Sequence, residues 1–272
     1  MKQTIQSLRA LKQQQQKFTV VAAYDATFTR TLNQAGVDAI LVGDSLGMVV
    51  KGQDSTIPVT VDDIVYHTEA VARSNSRCEN QALIIADLPF MTYATLNDTL
   101  TNSARLMQAG ANMVKLEGGE WLAESVSKLV ELGIPVCAHI GLTPQSVNKF
   151  GGYKVQGRSA SQQQQLLNDA AALNQAGADF IVLECIPTTL ASNITQANAF
   201  STIGIGAGSS TDAQVLVCYD MLGLSPHPAK FVKDFLAASG SDGSEASILK
   251  AFSAYNTAVK NGDYPSAEHE YQ

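Results

Sequence analysis

The sequence contains no stretch near the roughly 20 consecutive apolar residues that a membrane-spanning helix requires. Its first residues, MKQTIQSLRALKQQQQKF, have no apolar core of the kind that directs secretion, so a cytoplasmic location is expected. Cysteine is scarce and dispersed. Cys78, Cys137, Cys185 and Cys218 form no C-x-x-C pair, which argues against a disulfide framework or a thiolate zinc site and leaves them as reduced packing residues. Basic charge is also in short supply: 18 Lys and Arg face 25 Asp and Glu, the formal net charge is -7, and the cations are scattered, so no nucleic-acid partner is expected. No G-x-G-x-x-G is present. GIGAG at 204–208 lacks that spacing; a phosphate site is one reading of it, close backbone packing at a barrel mouth the other.

What is present is an ordinary globular composition, 45% hydrophobic and 16% charged, enough to bury a substantial core. Eight short apolar runs follow one another: 19–25, 39–44, 82–87, 113–118, 135–141, 180–185, 201–208 and 215–222. They are continuous, not alternating, as strands buried on both faces must be. Helical spacing of apolar residues fills 61–73, 97–108, 121–132 and 161–175, and Ile5, Leu8 and Leu11 predict a short helix before the first strand. A β-α unit repeated eight times predicts an α/β fold, a (β/α)8 TIM barrel. The seventh connection, near Thr211, is too short for a full helix, which keeps an open doubly wound sheet as the alternative. One domain over 1–272 is expected: an N-terminal helix in 1–18, the barrel in 19–240, and a C-terminal helix and tail in 241–272, with closing helices at 228–238 and 245–260 and a frayed tail after Asn261.

A phrase beginning Gln-Ala-Gly recurs at 34–44, 108–117 and 175–184. In each copy the glycine (Gly36, Gly110 or Gly177) suits a left-handed helix terminus, a strand follows, and an acid ends it: Asp44, Glu117 or Glu184. Asp87 ends another strand in the same way. Carboxyl ends of parallel barrel strands converge on one mouth, where barrel enzymes build their sites. Residues two apart on a strand share a face, so Lys115 points inward with Glu117, and His139 ends the next strand at the same level.

So many acids in a confined site cannot all stay ionised without a counter-charge, and a divalent cation resolves the repulsion. Oxygen donors without a His/Cys set favour Mg2+. Asp44 and Asp87 are the expected direct ligands, Glu117 a direct or water-mediated one, and Glu184 is left free as a base. A single acid at a strand end is often only a helix cap, but four together with a lysine and a histidine are not readily explained so. Lys115 reads as a protonated partner for a substrate carboxylate, with an unremarkable lysine or a Schiff-base nucleophile as the other readings, and His139 as a core histidine or a substrate hydrogen-bond partner. Ser45 could donate to a carboxylate, and Thr60 with Asp63 suits a helix cap. The segment 148–158 combines glycines with Lys149, Lys154 and Arg158, which suits either a lid meeting an anionic ligand or a solvated loop.

The strings LVGDSLGMVVKGQDSTIPVT, IIADLPFM, AGANMVKLEGGEW, HIGLTPQSVNKFGGYKVQGR, LECIP and GIGAG, in this order from about Thr19 to Phe235, resemble the ketopantoate hydroxymethyltransferase family. The resemblance implies a barrel enzyme that moves a hydroxymethyl group from 5,10-methylenetetrahydrofolate to 3-methyl-2-oxobutanoate, giving 2-dehydropantoate in pantothenate and coenzyme A synthesis. It implies Mg2+ on Asp44, Asp87 and Glu117; contact of Asp44, Ser45, Asp87, Lys115 and His139 with the 2-oxo acid; Glu184 as base; and a homodecamer of two pentameric rings. No folate-contacting residue is implied. The stretch GLSPHPAKFVKDF departs from the family's usual run. A lyase or mutase of the phosphoenolpyruvate mutase and isocitrate lyase group, and a non-catalytic metal-binding scaffold, are the competing readings; neither explains the YKVQGR segment and the intact set of acids together.

Overall fold

A computed structural model describes residues 2–240 and 244–272; the expected boundary at 241 therefore lies outside the described residues. The apolar runs form eight parallel strands: β1 (Phe18–Ala22), β2 (Ala39–Val42), β3 (Leu83–Asp87), β4 (Met113–Glu117), β5 (Val136–Gly141), β6 (Phe180–Glu184), β7 (Ser201–Ile205) and β8 (Ala213–Val217). They pair in chain order, and β8 returns to β1 with Phe18 opposite Ala213 and Ala22 opposite Val217. The sheet is a closed barrel, which excludes the open alternative. Strand residues are buried on both faces, inward ones filling the barrel and outward ones meeting helices, so the runs carry no polar alternation.

The helices Ile5–Gln13, Val61–Asn75, Leu96–Gln108, Ala123–Glu131 and Ala160–Gln175 lie where apolar spacing predicts them. Thr60 accepts from the Asp63 backbone N–H while the Asp63 carboxylate accepts from that of Thr60, completing the expected cap. The recurrent Gln-Ala-Gly has a physical reason: Gly36, Gly110 and Gly177 take φ of 76°, 108° and 93°, stopping a helix and sending the chain into β2, β4 or β6. The first helix buries Leu8, and its Lys12 and Arg9 pair with Asp212 and Asp179, which precede β8 and β6. It thus covers the amino-terminal end of the barrel and leaves the carboxyl-terminal end for chemistry.

Three expectations fail toward the carboxyl terminus. The run 215–222 is only half strand: β8 ends at Val217 and Cys218–Met221 is a helical turn, because a short apolar run does not distinguish strand from helix. Of 228–238 only Phe235–Ala238 is helical, capped by Asp234; Pro226 and Pro228 break the run before it. The segment after Asn261 is not frayed. Tyr264 and His269 are buried, Tyr264 donates to the Phe231 carbonyl, and Thr188 N–H donates to the Tyr271 carbonyl at 3.1 Å. Glu245–Asn261 is helical as expected. Among the described residues no helix is long and apolar enough to cross a membrane, and all four cysteines are free thiols.

Candidate active site

Strand register places the ring of charged side chains. Asp87 lies opposite Lys115, and Glu117 opposite His139, so inward side chains on adjacent strands become neighbours at one level. Lys115 Nζ donates to Asp87 Oδ1 at 2.6 Å and to Glu117 Oε1 at 3.3 Å. His139 Nδ1 stands 3.4 Å from Glu117 Oε1, and its Nε2 stands 3.3 Å from Glu184 Oε2. The Asp44 backbone N–H donates to Asp87 Oδ2 at 3.1 Å. All six residues line one cavity of about 230 Å3, with Ser45 beside them and Val182, Ile205 and Val215 among its apolar walls. The site residues foreseen from strand ends are therefore all brought together.

Burial makes the charges decisive. Four carboxylates face two cations, so the ring carries a formal excess of two negative charges. Burial first, then Asp87 and Glu117, push the Asp44 carboxyl well above the usual carboxylate range. Burial also raises Asp87, though Lys115 opposes it. At Glu117 burial is outweighed by Lys115 and His139, and the carboxyl drops to about 2. Burial opposes the Lys115 charge, but Asp87, Glu117 and Asp44 prevail and hold its ammonium well above the ordinary value. Held between two carboxylates, Lys115 fits the ion-pairing role better than that of a Schiff-base nucleophile, which needs a neutral amine. His139 is lowered by burial and Lys115 but raised more by Glu117 and Glu184, to about 9. Neither imidazole nitrogen makes a well-directed hydrogen bond within the protein, although each lies within 3.4 Å of a carboxylate oxygen.

Several residues at the site carry no signal in strand patterning. Gln145, in the turn after β5, is 4% exposed and ties the ring together: its Nε2 donates to Asp44 Oδ2 at 2.8 Å and its backbone N–H to Glu117 Oε2 at 3.1 Å. Tyr93, in the loop after β3, donates to Gln145 Oε1 at 2.5 Å and to the Glu117 carbonyl at 3.0 Å. Ser45 is not bonded to a carboxylate; its hydroxyl lies 2.7 Å from that of Tyr24. The segment after β5 crosses the mouth, where Tyr153 Oη reaches Met48 Sδ at 3.4 Å and lines the cavity with Phe231. GIGAG packs closely: a Cβ on Gly206 would lie 2.8 Å from the Phe231 ring and 2.9 Å from the Tyr271 ring, the packing reading of that motif.

Among the described residues no three His, Cys, Asp or Glu side chains converge into a complete metal cage. Magnesium does not need one, since it binds through one or two carboxylates and keeps water or substrate oxygens for the rest. The excess negative charge and the all-oxygen donors fit such a cation. Asp44 has one oxygen bonded to Gln145 and the other left for a cation, whereas both oxygens of Asp87 and both of Glu117 already accept hydrogen bonds.

Residues 2–267 match the family model described as ketopantoate hydroxymethyltransferase. The 3-methyl-2-oxobutanoate hydroxymethyltransferase of Saccharophagus degradans is 54% identical over 270 residues, covering 99% of this chain and 96% of its own. A Hahella chejuensis protein named 3-methyl-2-oxobutanoate hydroxymethyltransferase 2 is 55% identical, with 98% of each chain covered. Among solved structures, a phosphonopyruvate hydrolase superposes with a TM-score of 0.60 at 14% identity, over 79% of this chain and 80% of its own. A putative phosphonomutase from Burkholderia cenocepacia superposes with a TM-score of 0.62 at 15% identity, over 81% of this chain and 95% of its own. At such identity the likeness is one of fold, and the lyase and mutase reading goes no further than that. Sequence similarity along nearly the whole chain makes it a member of the ketopantoate hydroxymethyltransferase family, whose named members are one-carbon transferases.

Proposed function

We propose that this enzyme hydroxymethylates 3-methyl-2-oxobutanoate to 2-dehydropantoate, with 5,10-methylenetetrahydrofolate as donor, as a step of pantothenate synthesis. The observation that carries the reading is the distinction of Glu184 within the acid ring. Its side chain is 14% exposed against 2–4% for Asp87, Lys115 and Glu117, and it does not pair with Lys115. It is the acid placed to work on a substrate while the others hold charge.

Asp44 and Asp87 would hold Mg2+, with Glu117 reaching it through water. When bound there, magnesium would supply Lewis-acid stabilisation to the oxygens of the 2-oxo acid. Lys115, protonated and fixed between Asp87 and Glu117, presents positive charge to the substrate carboxylate. Ser45 and His139 stand beside the same cavity, His139 as a donor to substrate. Apolar walls, Val182, Ile205 and Val215 among them, take the branched carbons. Glu184 removes the proton from carbon 3. Water breaks the donor's two C–N bonds, releasing tetrahydrofolate and the one-carbon unit as formaldehyde; carbon 3 then bonds to that carbon, and the formaldehyde oxygen takes up a proton as the new hydroxyl group. A cytoplasmic location and a homodecameric assembly belong to the same reading and are supported by the family resemblance.

The test is exchange of the carbon 3 proton of 3-methyl-2-oxobutanoate in D2O, followed by NMR. Exchange that requires Mg2+, stops with EDTA and falls at least about 100-fold in Glu184→Gln is expected, in line with the contribution of a general base. Equal exchange in wild type and Glu184→Gln would sink the assignment of the base.

A further inference from the structure

A second cavity, of about 710 Å3, adjoins the catalytic one, and the two share Tyr153, Glu184 and Phe231 in their walls. Its other walls come from separate parts of the chain: Lys154 and Arg158 from the segment after β5, and Tyr271 from the segment after Asn261. Tyr271 is anchored there by its carbonyl, which accepts from both the Thr188 N–H and hydroxyl at 3.1 Å, and Lys230 Nζ lies 5.5 Å from its ring centroid. The absence of a side chain at Gly206 lets the Phe231 and Tyr271 rings both close on its backbone. The cavity thus combines aromatic faces with cations. In an acidic chain, Lys154 and Arg158 pair with no carboxylate among the described residues.

We propose that this second cavity is the binding site of the one-carbon donor, taking a flat heteroaromatic ring against Tyr153, Phe231 and Tyr271 and an anionic tail on Lys154 and Arg158. The inference rests on the reading above that the donor is a reduced folate, whose chemistry is a fused ring, a second aromatic ring and a carboxylate-bearing tail. Three arguments support the place. The donor must deliver carbon to the atom from which Glu184 takes a proton, and this cavity reaches Glu184 directly. The catalytic cavity, about 230 Å3, accommodates a small oxo acid but falls below the usual ~300–1,000 Å3 of larger ligands, which the adjoining one meets. Stacking faces and unpaired cations match the donor's rings and its carboxylates.

The competitors match less well. A cavity of about 390 Å3 beside Trp121 and Phe150 touches the catalytic one only at Glu117 and adds the acid Asp169, which repels an anionic tail, against the single cation Lys149. The large groove with Arg30, Arg73 and Arg77 lies between the helices Ala26–Gln34 and Val61–Asn75, on the outside of the barrel, and shares no residue with the site.

Steady-state kinetics on the full chain test the assignment with Lys154→Ala/Arg158→Ala together, with Tyr271→Leu, and with Trp121→Phe as the control for the competing cavity. Tyr271→Leu removes the ring but keeps the carbonyl that anchors the segment. The expected result is a split: the KM for methylenetetrahydrofolate rises tenfold or more in the first two variants, while the KM for the oxo acid stays within twofold. Calorimetric titration with tetrahydrofolate in the presence of the oxo acid shows the same weakening. Trp121→Phe leaves both constants unchanged. Wild-type turnover with a donor KM that none of the variants changes, or that Trp121→Phe alone raises, overturns the cavity assignment and leaves the reaction standing. A wild-type chain that exchanges the carbon 3 proton yet takes no carbon from the folate overturns the donor reading, and the cavity assignment with it.

Discussion

Gln145 shows how much of the site depends on a residue that bears no charge. Its side-chain amide bonds Asp44, the Leu88 carbonyl and the Tyr93 hydroxyl at once, and its backbone N–H bonds Glu117. Gln145→Ala would leave Asp44 without its side-chain donor and Tyr93 with the Glu117 carbonyl as its one remaining acceptor. Outer partners of a metal site typically contribute about 10–100-fold in affinity or activity, and a loss in that range is expected for Mg2+ binding measured by calorimetry. An unchanged affinity would show that Asp44 is oriented by other means. The ring itself was legible in the sequence, because strand alternation and acids at strand ends suffice to bring Lys115, Glu117 and their neighbours to one level. Gln145, Tyr93 and Tyr24 were not: they sit in loops or adjoin the site through hydroxyl and amide groups, and no periodicity registers where a loop returns.

At the scale of elements, the site depends on strands whose ends meet closely. Gly141 closes β5 at φ 94°, and a Cβ there would lie 2.3 Å from the Glu184 carbonyl oxygen. Gly141→Ala must therefore displace the end of β6 and take a left-handed conformation that costs an L-residue about 1–2 kcal/mol by itself. A fall in melting temperature of several degrees is expected, together with reduced carbon 3 exchange as Glu184 shifts; loss of stability with undiminished exchange would refute the link. The β5 and β6 boundaries could be read from their apolar runs, whereas the chain after β8 could not. There Cys218–Met221 turns helical and the segment after Asn261 packs through single contacts instead of a repeated pattern. One such contact titrates. Burial, with Lys233 and Lys230 adding to it and Glu268 and Glu270 opposing, lowers His269 from its ordinary 6.5; its Nδ1 lies 2.8 Å from Ser266 Oγ. A histidine depressed in the folded state takes its proton more readily when unfolded, so its contribution is intact above about pH 6.5 and is lost as pH falls below that value. Wild type should melt above His269→Gln at pH 7.5, with the gap narrowing toward pH 5. A gap that widens on acidification would reverse the sign.

For the molecule as a whole, the barrel is only as closed as its last seam. β8 meets β1 directly, and the helix Glu245–Asn261 lies over that junction. Tyr255, fully buried, directs its hydroxyl to the Val20 carbonyl at 3.1 Å and the Gln214 carbonyl at 2.8 Å, one on each side of the seam. The next residue, Asn256, donates to the Ala35 carbonyl and accepts from the Thr19 hydroxyl, and Lys260 pairs with Asp38 at 2.9 Å. The helix therefore joins the first and last strands by hydrogen bonds that no sequence periodicity announces, although its own presence at 245–260 was legible. Tyr255→Phe keeps the ring packed against Phe235 and Tyr264 and removes only the hydroxyl. A buried carbonyl left without its donor costs about 1–3 kcal/mol, and for a chain somewhat longer than 250 residues each kcal/mol moves the melting temperature by about 2–4 °C. The expected drop is thus a few degrees. Because the seam lies on the far side of the barrel from His139 and Glu117, carbon 3 exchange at 25 °C should remain near wild type. A melting point unchanged by Tyr255→Phe would mean that the strand pairing between β1 and β8 closes the barrel without the helix.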